Sequence, residues 1–266
     1  MEWIKSQTDL ESQATSNPKP FDPLLTVPNL RFDPAQMHDE IQALFRVHPP
    51  VAWRSQPPGA VHGLSLSYDP QAPEQEWHLG SFGHSRYQQH AALDYFKAPE
   101  RDRLNATRGD YLDSLGFRKL LPAIEKLPAL STLLKSFNMP VVRCTVRVID
   151  GTKAWPSLDD EGGMHQDDPP WEVLRVNLCI TGSDDFGFQY AGHSPLIMRP
   201  GDNLIVNADH DHRVWVRQRS ATQRMHLIVG LVPWIDYDDQ ADAWTLNTHA
   251  GHTHPYDLVR QGYLLR

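Results

Sequence analysis

From residue 141 onward the sequence consists of short β-rich runs that turns, rather than helices, separate from one another. The runs are VVRCTVRVI, WEVLRVNLCI, FGFQY, DNLIVN, HRVWV and RMHLIVGLV. The stretches between them, DGTKAWPS, TGSDD and RPGD, are rich in residues that form turns. Several short strands without helices between them predict an antiparallel barrel or sandwich, so we expect a mainly β fold.

The N-terminal half predicts an arm and helices that support this β-rich region. Residues 1–30 are polar and proline-rich and end in LLTVPNL, which indicates a short first strand. Asp33 is a good N-cap, and Pro34 suits the first position of the helix that follows. One face of that helix collects the apolar residues Met37, Ile41, Leu44 and Phe45. A similar stripe within 111–137 predicts further helices, which we expect to pack on one outer face of the barrel.

The length and composition favour a single domain. A chain of 266 residues, with 40% hydrophobic and 22% charged residues, is ordinary for one globular β domain. Within it we expect an N-terminal arm and helical support over 1–140, a β-barrel core over 141–235 and a C-terminal extension over 236–266.

Charge and cysteine content limit the partners and the compartment. The formal net charge of −8 makes nucleic acid a poor candidate partner, because phosphate backbones are bound by basic surfaces. No apolar run is long enough to predict a membrane span, and the N-terminus lacks the pattern of a secretory signal. The two cysteines, Cys144 and Cys179, lie in β-rich runs and are expected to be small buried residues. Together these features favour a cytoplasmic protein.

Two of the β-rich runs have one apolar and one polar face. Side chains alternate along a strand, so Arg175 and Asn177 share one face of the run at 173–180, and Arg224 and His226 share one face of the run at 224–231. The opposite faces are entirely apolar. We expect the helices to cover the apolar faces and the polar faces to point into the barrel. The alternative is an open sheet with its polar faces in water.

The tripeptide at 165–167 predicts a metal site. In an extended chain His165 and Asp167 point the same way, whereas Asp168 points away. The third ligand comes from NADHDHRVWV, in which His212 is favoured over His210 because the regular V-W-V alternation begins there. Two histidines and one carboxylate that leave other positions open form the facial triad of non-haem iron(II) oxygenases.

An arginine on the last long β-rich run would complete such a site. Iron oxygenases that use 2-oxoglutarate need a cation for its distal carboxylate, and a guanidinium fits that group. Arg224 is the best placed, because Arg217 and Arg219 lie nearer the tip of the predicted hairpin. A separate group of histidines, in THAGHTHPYD near the C-terminus, lacks a carboxylate or cysteine at ligand spacing and is expected to form a surface loop.

At these residues the chain resembles the aspartyl/asparaginyl β-hydroxylase family of iron(II)- and 2-oxoglutarate-dependent oxygenases, which includes a bacterial proline 4-hydroxylase. The matching stretches are MHQDD, LRVNLCIT, RPGDNLIVNADHDHRVWV and RMHLIVGLV, in that order, within 141–235. The resemblance implies a double-stranded β-helix, the jelly-roll or cupin-like barrel, as the catalytic core. It also implies a set of functional residues: His165, Asp167 and His212 as iron ligands, Arg224 for 2-oxoglutarate, and Arg175 facing the substrate or cosubstrate. Some members have histidine where this chain has Asn177, which we also assign to the 2-oxoglutarate site, and we assign Arg175 to the substrate.

The resemblance implies hydroxylation of an unactivated C–H bond of an amino acid or an amino-acid-derived small molecule, with O2 as the oxidant. Because Arg224 suffices for 2-oxoglutarate, Arg175 predicts a substrate that carries a carboxylate of its own. Alternatively, Arg175 pairs with a protein carboxylate such as Asp150 or Glu172. Two other functions remain open: a peptide or protein side-chain hydroxylase, and a cupin-like protein that binds a metal or small molecule without oxidising it.

Overall fold

The computed structural model describes residues 21–52, 60–79, 115–153, 164–167, 170–217 and 220–266. Expectations for the first part of the N-terminal arm, for Asp168 and for Arg219 lie outside these residues. Within the described ranges, no helix is both long and apolar enough to cross a lipid bilayer.

Three α-helices support the sheets in the described part of the chain: α1 (Pro34–Val47), α2 (Pro128–Ser136) and α3 (Pro255–Arg260). The predicted start of α1 is confirmed, because the carboxylate of Asp33 accepts hydrogen bonds from the main-chain N–H groups of Ala35 (2.9 Å) and Gln36 (3.2 Å). The helix ends before two consecutive prolines, which cannot continue it.

The described strands are numbered in chain order. They are β1 (Val51–Ala52), β2 (Val61–Ser65), β3 (Ser67–Tyr68), β4 (Lys119–Leu120), β5 (Val141–Asp150), β6 (Leu174–Thr181), β7 (Phe186–Tyr190), β8 (Leu196–Ile197), β9 (Asn203–Val206), β10 (His212–Val216), β11 (Gln223–Leu231), β12 (Ile235–Asp238) and β13 (Ala243–Leu246). A large sheet has the order β1-β2-β5-β11-β6-β9 and a small one the order β10-β7-β8; both are antiparallel. The prediction of a mainly β, antiparallel fold is therefore confirmed.

The predicted first strand, LLTVPNL, is wrong. This segment runs irregularly beside the edge strand β9, where Leu25 accepts a hydrogen bond from the N–H of Ile205 (2.8 Å). A turn interrupts it at Pro28 and at Asn29, whose φ of 63° lies in the left-handed region that asparagine tolerates.

The two faces of the large sheet have different surroundings. The apolar side chains of β6 and β11 share one buried cluster with those of α1 and α2, so the helices cover this face as expected. The opposite face of the large sheet and the small sheet line a common cavity. Arg224 and His226 face that cavity at only 3% and 2% exposure, so the alternative of a polar face in water is wrong.

The C-terminal residues pack against the helical side of the molecule. Tyr256, Leu258 and Val259 of α3 belong to the same apolar cluster as α1 and α2. The indole N–H of Trp234 donates to the carbonyl of Thr253 (2.8 Å), which ties the segment before α3 to the end of the β region.

One buried carboxylate joins the two supporting helices. The oxygens of Glu40, on α1, accept hydrogen bonds from the N–H groups of Ala129 and Leu130 in the first turn of α2, both at 2.9 Å. Those N–H groups have no partner within their own helix, and the N-terminus of a helix favours a negative charge. Glu40 is only 9% exposed, so the hydrogen bonds that join α1 to α2 are largely shielded from water.

We expect Glu40→Ala to lower the free energy of unfolding by about 1–3 kcal/mol, because it leaves buried N–H groups without an acceptor. Asp39→Ala is the control, since the side chain of Asp39 is 86% exposed. Urea denaturation followed by circular dichroism would measure both variants. Equal stability of the two would contradict a structural role for Glu40.

Candidate metal centre

The two histidines predicted to bind metal lie opposite each other on paired backbones. The main-chain N–H of His165 donates to the carbonyl of His212, and the N–H of His212 donates to the carbonyl of His165. The N···O distance is 3.0 Å in both hydrogen bonds. Two residues further along, the N–H of Asp167 donates to the carbonyl of Ala208 (2.7 Å). The H-x-D segment is thus aligned antiparallel to the chain that enters β10.

This alignment brings three potential ligands together. One ligand atom from each of His165, Asp167 and His212 lies within 4.8 Å of the other two. Oδ2 of Asp167 is 3.9 Å from Nε2 of each histidine. Ligands held at about 2.2 Å from one ion can be up to about 4.4 Å apart, so a metal can bridge Oδ2 of Asp167 and the Nε2 atom of either histidine.

The structure places His212, rather than His210, beside the other two ligands. His212 is the first residue of β10 and is buried, whereas His210 precedes the strand and is exposed. The ring of His210 packs against Phe21, with 4.6 Å between the ring centroids, outside the cavity that His212 lines.

The hydrogen bonding of His212 prepares it to bind a metal. Its Nδ1 lies 2.8 Å from the main-chain carbonyl of His210, and a carbonyl can only accept, so Nδ1 carries the proton. Nε2 therefore presents its lone pair towards Asp167. Burial lowers the pKa of His212, which favours the neutral imidazole that coordinates metals.

Asp167 is held in its ionised form by a neighbouring arginine. Burial alone would raise the pKa of Asp167, but the charge of Arg175, with contributions from both histidines, holds that pKa well below its usual range. Nη1 of Arg175 donates to Oδ2 of Asp167 at 2.6 Å. The carboxylate is consequently a charged oxygen donor at neutral pH.

Arg175 departs from the sequence-based expectation that this inward-facing cation needs an anion from outside the protein. The structure instead pairs Arg175 with Asp167, the residue that the sequence assigned to the metal. The error arose because alternation along a strand shows which face a side chain occupies but not which loop residue it meets.

The cavity beside the three potential ligands also contains a buried arginine on β11. The cavity has a volume of about 90 Å³, several times the 10–15 Å³ or so that holds one water. The guanidinium carbon of Arg224 lies 4.7 Å from the ring centroid of Phe188, and burial, with the charge of Arg147, lowers its pKa to about 9. Within the described ranges, its Nη1 atom has no hydrogen-bond partner.

His226 is a residue of this cavity to which the sequence analysis assigned no role. Nη2 of Arg224 lies 2.5 Å from Nδ1 of His226, and a guanidinium can only donate, so Nδ1 accepts and Nε2 carries the proton. Burial and the charge of Arg224 keep the pKa of His226 well below its ordinary value, so the ring is neutral. The sequence feature that could have identified His226 is its position two residues after Arg224, which places both side chains on the same face of β11.

Buried atoms of His226 and Asn177 also lack hydrogen-bond partners in the described part of the chain. Nε2 of His226 is a donor, and Oδ1 of Asn177 is an acceptor. Both residues line the cavity that the three potential ligands share. The cavity therefore offers donors on Arg224 and His226 and an acceptor on Asn177 to a bound molecule.

The other candidate residues lie elsewhere. The described ranges contain one group that could hold a metal, and it does not include the C-terminal histidines. There His254 caps α3 by accepting from the N–H of Tyr256 (3.2 Å). Arg217 pairs with Asp185 at the surface (3.2 Å). Cys144 and Cys179 are buried as expected, and burial raises the pKa of Cys179 to about 11.

No family model and no curated protein matches the sequence. Among solved structures, the DMSP lyase DddQ from Ruegeria pomeroyi DSS-3 is 20% identical, with a TM-score of 0.25, and the match covers 41% of this chain and 44% of that one. A candidate mannose-6-phosphate isomerase from Ralstonia eutropha JMP134 is 24% identical, with a TM-score of 0.26, and the match covers 34% and 73%. The chain thus spans less than half of the lyase.

We expect His212→Ala, like His165→Ala and Asp167→Ala, to weaken metal binding by more than about 100-fold, since losing a ligand costs more than losing a supporting residue. His210→Ala is the matched control, because alanine keeps the main-chain carbonyl that orients His212. Titration with Co(II), followed by its visible absorption, would measure each affinity. Loss of binding in His210→Ala, with His212→Ala unaffected, would show that the ligand assignment is wrong.

Proposed function

We propose that this protein is an iron(II)- and 2-oxoglutarate-dependent dioxygenase that hydroxylates an unactivated C–H bond of an amino acid or an amino-acid-derived small molecule. The observation that carries the proposal is Arg224. It is a buried cation with a donor atom that has no partner in the described ranges, and it lines the same cavity as a His–Asp–His group.

The donor set suits iron(II). Two imidazole nitrogens and one carboxylate oxygen, contributed by His165, His212 and Asp167, form a triad that leaves coordination positions for other molecules. A structural zinc site would instead have four protein ligands. Iron(II) held by these residues, together with 2-oxoglutarate and O2, would supply the oxidant for hydroxylation.

The cavity also suits the anionic cosubstrate. A buried arginine without an anion is strongly unfavourable, and 2-oxoglutarate has a distal carboxylate that can accept from a guanidinium. We propose that this carboxylate binds Arg224 and His226, whose Nη1 and Nε2 atoms are both available donors. Asn177, on the neighbouring strand β6, is proposed to contact the same cosubstrate.

The arrangement of the sheets supports the same assignment. Two antiparallel sheets face each other across the cavity, with the H-x-D segment paired to the start of β10 and the arginine near the start of β11. We propose that this is a double-stranded β-helix and that the chain is a member of the aspartyl/asparaginyl β-hydroxylase group. The small cavity favours a small-molecule substrate over a protein side chain.

Succinate formation is the direct test of this activity. We expect the protein to convert 2-oxoglutarate to succinate when supplied with iron(II), O2 and a suitable member of a panel of amino acids and their derivatives, with a matching hydroxylated product. Asp167→Ala should abolish both products. If the protein binds metal but neither binds 2-oxoglutarate nor forms succinate, it is instead a cupin-like protein that binds a metal or small molecule without oxidising it.

We expect Arg224→Ala to weaken 2-oxoglutarate binding by more than about 100-fold, because removing one side of a buried charge pair costs about 3–5 kcal/mol. His226→Ala should weaken it less, since a neutral hydrogen bond contributes about 0.5–1.5 kcal/mol. Arg217→Ala is the control, with a side chain 62% exposed. Isothermal titration with Mn(II) in place of iron(II) would measure the affinities. Equal affinities in all three variants would place the cosubstrate elsewhere.

A further inference from the structure

Arg175 contacts the proposed metal ligand through a short ion pair. Its Nη1 lies 2.6 Å from Oδ2 of Asp167, and the two side chains are 16% and 31% exposed. A charge-assisted hydrogen bond of this length in a partly dry cavity is among the stronger polar contacts available to a protein. This contact therefore constrains where the carboxylate can lie.

The oxygen that Arg175 contacts is also the one that faces the histidines. Oδ2 of Asp167 is the atom that lies 3.9 Å from Nε2 of both His165 and His212. An ionised carboxylate has about four lone-pair sites, so Asp167 can accept from an arginine and still bind a cation. The ion pair thus holds the carboxylate in the direction that metal binding requires.

Arg175 is attached to a more rigid part of the molecule than Asp167. Its strand, β6, lies between β11 and β9, and Arg175 itself is in register with Gly230 on one side and Val206 on the other. Asp167 belongs to an irregular segment. This segment is held by main-chain hydrogen bonds from Asp167 to Ala208 and between His165 and His212. A side chain on a central strand can therefore orient one on a loop.

We infer that Arg175 is a positioning residue for Asp167: it orients the carboxylate towards the two histidines, and it is not the anchor for the substrate. This inference rests on the proposed metal centre. Groups that hydrogen-bond to metal ligands in this way fix the ligand orientation, and their loss typically lowers metal affinity by about 10–100-fold.

A second physical effect acts in the opposite direction. A guanidinium close to a metal repels it, so removing Arg175 could tighten metal binding if charge were its main influence. Arg147 provides the comparison, because it lines the same cavity and is a second cation close to Arg175. Its pKa is lowered to about 10 by loss of contact with water and by the charge of Arg175. Removing Arg147 deletes a cation but keeps the contact between Arg175 and Asp167.

The test is a titration of the full chain with Mn(II), without 2-oxoglutarate, in which electron paramagnetic resonance measures the free ion. We expect Arg175→Met to weaken Mn(II) binding by about 10–100-fold and Arg175→Lys, which retains a donor and a charge, to weaken it less. Arg147→Met should not weaken it. Co(II) spectra should change in Arg175→Met and remain as in the unmodified protein in Arg147→Met, and circular dichroism would establish that each variant is folded.

The outcomes separate this inference from the proposed function. Unchanged or tighter Mn(II) binding by Arg175→Met would overturn the inference. Unchanged metal affinity with a loss of substrate-coupled turnover would return Arg175 to a substrate-binding role. If the unmodified protein bound Mn(II) no better than His212→Ala does, the metal centre itself would be wrong, and the inference would fail with it.

Discussion

The main-chain pairing of His165 with His212 is the constraint on which the site depends. These residues are far apart in the chain, and each donates a hydrogen bond to the other. The pairing places an irregular segment beside the start of β10, so that Asp167 arrives next to both imidazoles. Without this pairing, the position of the H-x-D segment relative to His212 would not be fixed.

The large sheet positions the site because one of its faces is apolar and covered by helices, whereas the other is polar and lines the cavity. Its outer face contributes apolar side chains to a cluster with the helices, and Glu40 holds two of those helices together. Its inner face contributes the arginines, Asn177 and His226. The energy that keeps charged groups away from water therefore comes largely from apolar burial on the opposite side of the same strands.

Electrostatics distinguishes Arg175 from Arg224 within the cavity. Arg175 has a carboxylate partner within the protein, in Asp167, whereas Arg224 contacts a neutral histidine and an aromatic ring. A buried cation without a counter-ion is unfavourable, and the proposed binding of 2-oxoglutarate at Arg224 would offset that cost. Arg175 does not need a substrate carboxylate for this reason, because Asp167 already neutralises its charge.

The sequence by itself determined the elements and the faces: the antiparallel strands, the start of α1 at its Asp33 cap, and the inward direction of Arg224 follow from local periodicity and capping. Only the tertiary structure decided which residues meet. Alternation places His210 and His212 on the same face, and the V-W-V pattern gives only a preference for His212. In the structure β10 begins at His212, so of these two rings only that of His212 enters the cavity. The contact of Arg175 with Asp167 depends likewise on how a loop lies over a sheet, because long-range packing is not encoded in the pattern of any single segment.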